Sequence, residues 1–340
     1  MHIIQRNFFR LLRAGAFGSE EEIEPMSAWK WGQVLDLSTR HHIEMFTRAG
    51  VKRCSSQFFM QLTDDVDAKW EEAASQQAEK RQQRLHDITE LLGTLDGMQL
   101  RPILIGGWST ALLCGVNWIE DTVVPIFFPF DTQGQKADAW AENEADEVKK
   151  PRGHVVQYEW RGLKVEHRHR LTQLNNKLND TTLQRIIEQE RREESPTFIE
   201  YKGQRIETIG PTLSLLVALT EIVRSMLGGG ITTMQIIDMG TQLRKRGHRV
   251  DFLKLQGWIT RLHLERVARL AMELLTELMG FSVDEVPFVE NKEKSTPADE
   301  LADALLTLNG QKTKYFRYLP GESIASIFTS VAHSLDQVEE

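Results

Sequence analysis

Cysteine is almost absent from this chain: Cys54 and Cys114 are the only two in 340 residues. That count excludes a disulfide framework, and two thiols so far apart in sequence read as reduced and buried. Positive charge is not in excess either. Lys and Arg number 41 against 49 Asp and Glu, a net charge of −8. A general affinity for nucleic acid or an anionic membrane is therefore not expected, although a local basic patch is compatible with that balance. No stretch approaches the roughly 18 consecutive apolar residues that a spanning helix needs. The opening segment MHIIQRNFFRLLRAG is amphipathic and basic, and lacks the long apolar core and small-residue cleavage site of a secretory signal. It is expected to dock on the chain's own core rather than at a membrane interface. Internal repeats and low-complexity tracts are also missing. These absences leave a soluble cytoplasmic protein of two or three domains, long enough to bury a core.

Helical periodicity dominates both ends. Phe8, Phe9, Leu11, Leu12 and Phe17 share a short helix ending near Gly15 and Gly18, and Ser27 is a plausible N-cap for a second helix at Trp29. Residues 64–95, rich in Ala, Glu, Gln, Lys and Arg, read as one long helix with a solvated charged face. The middle differs. Residues 100–105, 123–128, 155–160 and 163–169 are short runs rich in β-branched or aromatic residues, and Arg161-Gly162 reads as a tight hairpin turn. A charged helix is expected at residues 137–149. From Leu171 helices return: one over 179–194, a small hairpin at YKGQRIET (residues 201–208), an apolar helix from Pro211 to Gly228, then helices at 234–246 and 251–279. A polar linker (290–299) and a weakly amphipathic tail close the chain.

The expected fold is thus α+β or α/β: a small mixed β-sheet core at residues 97–172, flanked by an N-terminal helical region (1–96) and a C-terminal helical domain (173–289), with linker and tail helices at 290–340. Within that core lies the segment ILIGGWSTALLCGVNWIEDTVVPIFFPFD, residues 103–131. A strand breaks on Gly106-Gly107-Trp108-Ser109, enters a short helix, and a second strand follows. A Gly-Gly turn at a helix start lets backbone amides approach a phosphate closely, although the same turn also serves purely structural ends. Nucleotidyl transfer further needs carboxylates at i and i+2 of a strand to hold divalent ions, with a third acid from a neighbouring strand. Glu166, mid-strand in LKVEHRH, fits the third acid. By alternation it shares a face with Lys164, Arg168 and Arg170, while Val165, His167 and His169 face the other way.

The chain resembles the uncharacterised nucleotidyltransferase family of the DNA polymerase β superfamily, common in bacterial genomes, over most of its length. The resemblance rests on FFRLLRAGAFG (residues 8–18), the helix carrying Trp29 and Trp31, ILIGGWSTALL, IFFPF, VEHRHRL, and GPTLSLLVALTEIVRSMLGGGITTMQIIDMG (residues 210–240). It implies transfer of a nucleotidyl group from an NTP to an acceptor, a small molecule, RNA or protein, with Mg²⁺. Gly106, Gly107, Trp108 and Ser109 would hold the nucleotide, Asp121 and Glu166 would be catalytic, and Glu120, Asp121 and Glu166 would hold metal. The departures are several. Matching on Phe127-Phe128-Pro129 puts Val123 and Pro125 where the family has two aspartates. A looser match, by distance from Gly107, makes Asp121 the first acid. The family's lysine before the turn is Gly106 here, its His-x-x-x-His is Glu221 and Ser225, and its Arg-Gln pair is Met234-Gln235, ahead of Asp238. The alternative to an enzyme is therefore a pseudoenzyme, a nucleotide-binding or protein-interaction module. A helical adaptor with no nucleotide site would need the Gly-Gly turn to be structural only.

Other motifs read as structural. His41-His42 is expected on a helix surface, and His167-x-His169 lacks the further Cys or His a zinc site would need. Arg244-Lys245-Arg246 reads as a solvated last helical turn favoured by the helix dipole. Trp108 fits either a base stack or a core plug.

Overall fold

The computed structural model describes residues 1–57, 62–115, 123–152, 154–227, 230–286 and 296–306. Glu120 and Asp121 lie outside them, as does the tail beyond Leu306. The described chain is mixed α and β, with one seven-stranded mixed sheet. Among the described residues no helix is long and apolar enough to cross a membrane.

Helices α1 (Ile3–Phe17), α2 (Ala28–Arg40) and α3 (Glu44–Cys54) pack together ahead of the long α4 (Asp64–Gly97). At about 1.5 Å per residue, α4 is roughly 50 Å long. Its first half buries Trp70 against Trp31, with ring centroids 6.4 Å apart, and its second half buries Leu85 to Leu95 beneath the sheet. Where α1 crosses α3 the backbones touch. A Cβ on Gly15 would meet the Phe46 carbonyl oxygen at 1.8 Å, and one on Gly50 would meet that of Leu11 at 2.0 Å. Glycine is required at both positions because no side chain fits between the two backbones.

The sheet begins with β1 (Ile103–Leu104), followed by α5 (Gly107–Cys114), β2 (Val124–Phe127) and α6 (Asp131–Glu144). Then come β3 (Asp146–Arg152), β4 (Val155–Trp160), β5 (Leu163–Arg168), α7 (Lys177–Glu193), β6 (Thr197–Tyr201) and β7 (Gln204–Thr208). The strand order is β3-β4-β5-β2-β1-β7-β6. β2 runs parallel to β5, with Pro125 opposite Glu166, and antiparallel to β1. Arg161-Gly162 and Lys202-Gly203 make the two tight hairpin turns, all four residues at positive φ, as a twist-matched two-residue turn demands.

Three expectations are corrected. The YKGQRIET hairpin, placed by sequence in the helical domain, forms the β6–β7 edge of the sheet beside β1, so the sheet extends past residue 172 to Thr208. The charged helix expected at 137–149 begins earlier as α6 and gives way to edge strand β3. The single helix expected at 251–279 is broken into α10 (Phe252–Arg261) and α11 (Glu265–Glu273), separated at His263 with φ 56°, and α11 runs into a wide π turn, Leu274–Leu278.

Strand alternation splits the core in two. Leu104, Val124, Ile126 and Val165 face α4 and α6 on one side, whereas Ile103, Ile105 and Phe127 face the larger core on the other. That larger core joins α1–α3 to α8 (Pro211–Leu227), α9 (Thr233–Arg246), α10, α11 and α12 (Ala298–Leu306). Leu213, Leu215, Leu216, Val217, Leu219 and Ile222 of α8 are all buried in it, as the width of that apolar stripe predicts.

Candidate functional site

A cleft of about 330 Å³ opens between the sheet and helices α8 and α9. Gly106 and Gly107 form one lip, Val123 precedes β2, and Pro125 and Glu166 come from the adjacent β2 and β5. Glu221 and Arg224 enter from α8, Asp238 and Gln242 from α9.

Gly106 sits at φ 70°, ψ −157°, a conformation open essentially to glycine alone, and a Cβ there would meet Pro125 Cγ at 3.3 Å. The turn lets α5 start at the cleft wall, where the Gly107 and Trp108 amides lie ahead of any intrahelical acceptor while the Ser109 amide already bonds the Gly106 carbonyl at 3.1 Å. The Ser109 hydroxyl, expected to help hold a triphosphate, instead donates to the Gly106 carbonyl at 2.7 Å and is 2% exposed. Trp108 is 1% exposed, packed in the core beneath the sheet, so the plug and not the base stack describes it.

Glu166 lies on the cleft face of β5, as alternation implied, but it is not a free ligand. Arg168 Nε donates to Glu166 Oε1, and Gln157 Nε2 donates to Oε2 at 2.8 Å. The same guanidinium donates through Nη1 to Glu221 Oε1 at 2.9 Å, and Arg224 reaches Glu221 at 3.1 Å. Burial alone would raise the Glu166 pKa, but Arg168 and Gln157 more than offset it and hold the carboxylate below its ordinary range. Burial likewise opposes the Arg168 charge, and Glu221 and Glu166 outweigh it. A guanidinium thus fills the role of the cation.

Deeper in, the amide of Gln242 donates from Nε2 to Asp238 Oδ2 at 3.2 Å and accepts at Oε1 from Ser214 at 2.8 Å. Asp238 Oδ1 is buried without a hydrogen-bond partner. Burial pushes the Asp238 carboxyl up to about 6, against hydrogen bonds from Thr110 and Gln242. Gln235 is occupied elsewhere: it closes the capping box of α9 with Thr232 and donates to Ser225 at 2.7 Å.

The described residues of the cleft do not by themselves supply the expected divalent-ion site. Val123 and Pro125 line the cleft where ligating acids would stand, and Glu166 is committed to Arg168. Among the described residues no three His, Cys, Asp or Glu side chains stand together as a metal-binding group. Of the expected acids, Asp121 and Glu120 fall outside the described residues. Arg168, Glu221 and Ser214 were not among the residues expected to form the site. The alternation of LKVEHRHR did place Arg168 on the Glu166 face, and the resemblance sets Glu221 at the His-x-x-x-His motif, but nothing in the sequence pairs Arg168 with Glu221, 53 residues on.

The histidine motifs resolve differently from each other. His167 and His169 share the Asp138 carboxylate, at 3.5 and 2.7 Å, and Tyr158 Oη lies 2.7 Å from His167 Nε2. His41, expected on the surface, is buried against Phe8 and contacts Thr233 Oγ1 at 3.2 Å. The last turn of α9 is not simply solvated. Arg244 lies over the Phe17 and Phe281 rings at 4.9 and 4.3 Å, and Arg246 is buried.

The chain matches no family model, no curated protein and no solved structure.

Proposed function

We propose that this protein is a nucleotidyltransferase-like binding module, in which the nucleotide cleft is kept and metal-dependent transfer is lost. The observation that carries this reading is Arg168, whose guanidinium takes up the Glu166 carboxylate beside the ligand-free side chains of Val123 and Pro125. A divalent ion would have to break a buried ion pair in which Arg168 bridges Glu166 and Glu221 with one hydrogen bond to each, and breaking a buried pair costs on the order of 3–5 kcal/mol. The cleft's other charges point the same way. Glu166, Glu221 and Asp238 stand against Arg168 and Arg224, which leaves no positive excess for a triphosphate. The apolar walls from Ile105, Val123, Pro125 and Val217, with the Gln242 amide and the Asp238 carboxyl at the back, suit an uncharged nucleoside better than NTP–Mg²⁺.

Calorimetry with adenosine, and with ATP in the presence and absence of Mg²⁺, tests the reading alongside an assay for transfer of labelled AMP from ATP. Adenosine should bind without Mg²⁺, Mg²⁺ should not strengthen ATP binding, and no labelled product should form. Mg²⁺-dependent product that is abolished by Asp121→Ala would overturn the proposal and restore the enzymatic alternative.

A further inference from the structure

A second depression, of about 650 Å³, lies at the opposite end of β1 and β2 from the cleft, where Arg101 precedes β1 and Phe130 follows β2. Arg205, at the start of β7, and Arg191, near the end of α7, complete it. Three guanidiniums therefore converge in a chain whose net charge is −8. Among the described residues, none of the three side chains forms a hydrogen bond or a salt bridge. Two carboxyls, Asp96 and Glu207, line the depression beside them, and burial raises the Glu207 pKa against the pull of all three guanidiniums. Arg191 is partly buried, and loss of water works against its charge, with Glu207 and Glu188 only partly compensating. A half-desolvated guanidinium with unused donors is costly unless an anion completes it.

The aromatic side chains define the rest of the ligand. Phe130 and Phe198 are large rings left 50% and 37% exposed on the same depression. Arg205 lies over the Phe198 ring at 3.6 Å, and Arg191 lies 5.3 Å from the Phe127 ring centre and 6.0 Å from that of Phe130, so both guanidiniums are held beside apolar rings. Arg101 holds φ 41°, an unfavourable conformation for a non-glycine residue, in the segment that presents it. Guanidinium edges recognise phosphate in pairs, and exposed rings stack on bases.

We propose that this arginine–phenylalanine depression binds a nucleotide, its phosphate on Arg101, Arg191 and Arg205 and its base on Phe130, either free or as part of a single strand. The inference does not rest on the nature of the cleft. It is tested on the full chain with 5′-AMP by calorimetry and with a short fluorescent single-stranded RNA by anisotropy at low ionic strength. The variants are Arg101→Gln/Arg205→Gln and Phe130→Ala, both at exposed positions, with thermal melts to confirm folding. Ala218→Trp, which fills the cleft, serves as the control.

The double arginine variant should weaken AMP and RNA by about tenfold or more, Phe130→Ala should weaken both while leaving inorganic phosphate unaffected, and Ala218→Trp should leave RNA binding unchanged and remove only AMP held in the cleft. AMP as tight as the oligonucleotide assigns the site to free nucleotides, and a tighter, strongly salt-dependent oligonucleotide assigns it to a strand. Four results would each overturn the proposal. They are no binding of either probe, inorganic phosphate competing as well as AMP, a phosphopeptide binding more tightly than AMP, or binding lost only in Ala218→Trp.

Discussion

Burying Asp238 in the cleft carries an electrostatic cost, because its carboxyl is desolvated with Oδ1 lacking a hydrogen-bond partner. A carboxyl whose pKa is raised on folding, here from 3.8 to about 6, stabilises the fold only at low pH. That contribution is lost as pH rises from about 4 to 6, and the cost at neutral pH is about 3 kcal/mol. Asp238→Asn should therefore stabilise the protein by about 1–3 kcal/mol at pH 7.5, with the gain vanishing near pH 4. Urea unfolding at the two values checks it, and a loss of stability at pH 7.5 would show that the carboxylate is needed by the fold. His41 has the opposite sign. Burial lowers its pKa from 6.5 to about 4, so stability present above pH 6.5 is lost as the pH falls through that window, by about 3 kcal/mol. In the parent the two effects offset each other between pH 4 and 6. In Asp238→Asn the acid loss from His41 should stand alone, as a steeper fall in melting temperature between pH 6.5 and 4.

At the scale of elements, the α1–α3 contact and the end of α9 decide how the helices assemble. Gly50→Ala would drive a methyl group into the Leu11 carbonyl. Overpacking commonly costs about 1–3 kcal/mol when side chains can yield, and more here because backbone must move. A thermal melt unchanged by Gly50→Ala would mean that α1 and α3 are not in contact in solution. Leu216→Ala, fully buried on α8, should cost about 2–5 kcal/mol. Arg244→Ala, inconsequential if the helix end were merely solvated, should instead lose about 0.5–2 kcal/mol with its contacts to Phe17 and Phe281. Chemical denaturation of the Leu216 and Arg244 variants measures both. An Arg244→Ala protein as stable as its parent would return that side chain to a solvent role.

Across the described residues, the N-terminal helices and α12 share one core. Phe8, Phe9 and Leu12 of α1 sit in the same apolar cluster as Leu216, Ile236, Leu275 and Leu305. Gln5 donates to Asp303 at 2.9 Å, and the N-terminal amine pairs with Asp299. The N-terminal helices therefore lack an apolar core of their own. Residues 1–96 expressed alone should show a low amide protection and no cooperative melt. A fragment of residues 97–172 should also fail to fold, because without β7 the short β1 becomes an open edge of the sheet. A sharp transition in either fragment would disprove the shared core or the extended sheet.

Local patterns in the sequence were enough for α1, α4, α7, α8 and α9, the β4–β5 hairpin, the Gly-Gly turn and the orientation of Glu166. Each follows from periodicity of 3.6 or 2, or from the special backbone freedom of glycine, and needs no distant partner. The lack of ligating side chains at Val123 and Pro125 was also legible, since neither side chain offers a ligating atom in any fold. The β6–β7 edge, the burial of His41 and the stacking of Arg244 were not, because each depends on which distant segment comes to lie against it. The same holds for Arg168, whose guanidinium is bound by Glu166 two residues away and by Glu221 from another helix. A charge pattern along the chain specifies which face a side chain takes, whereas the partner that neutralises it is set only when helix α8 packs over the sheet.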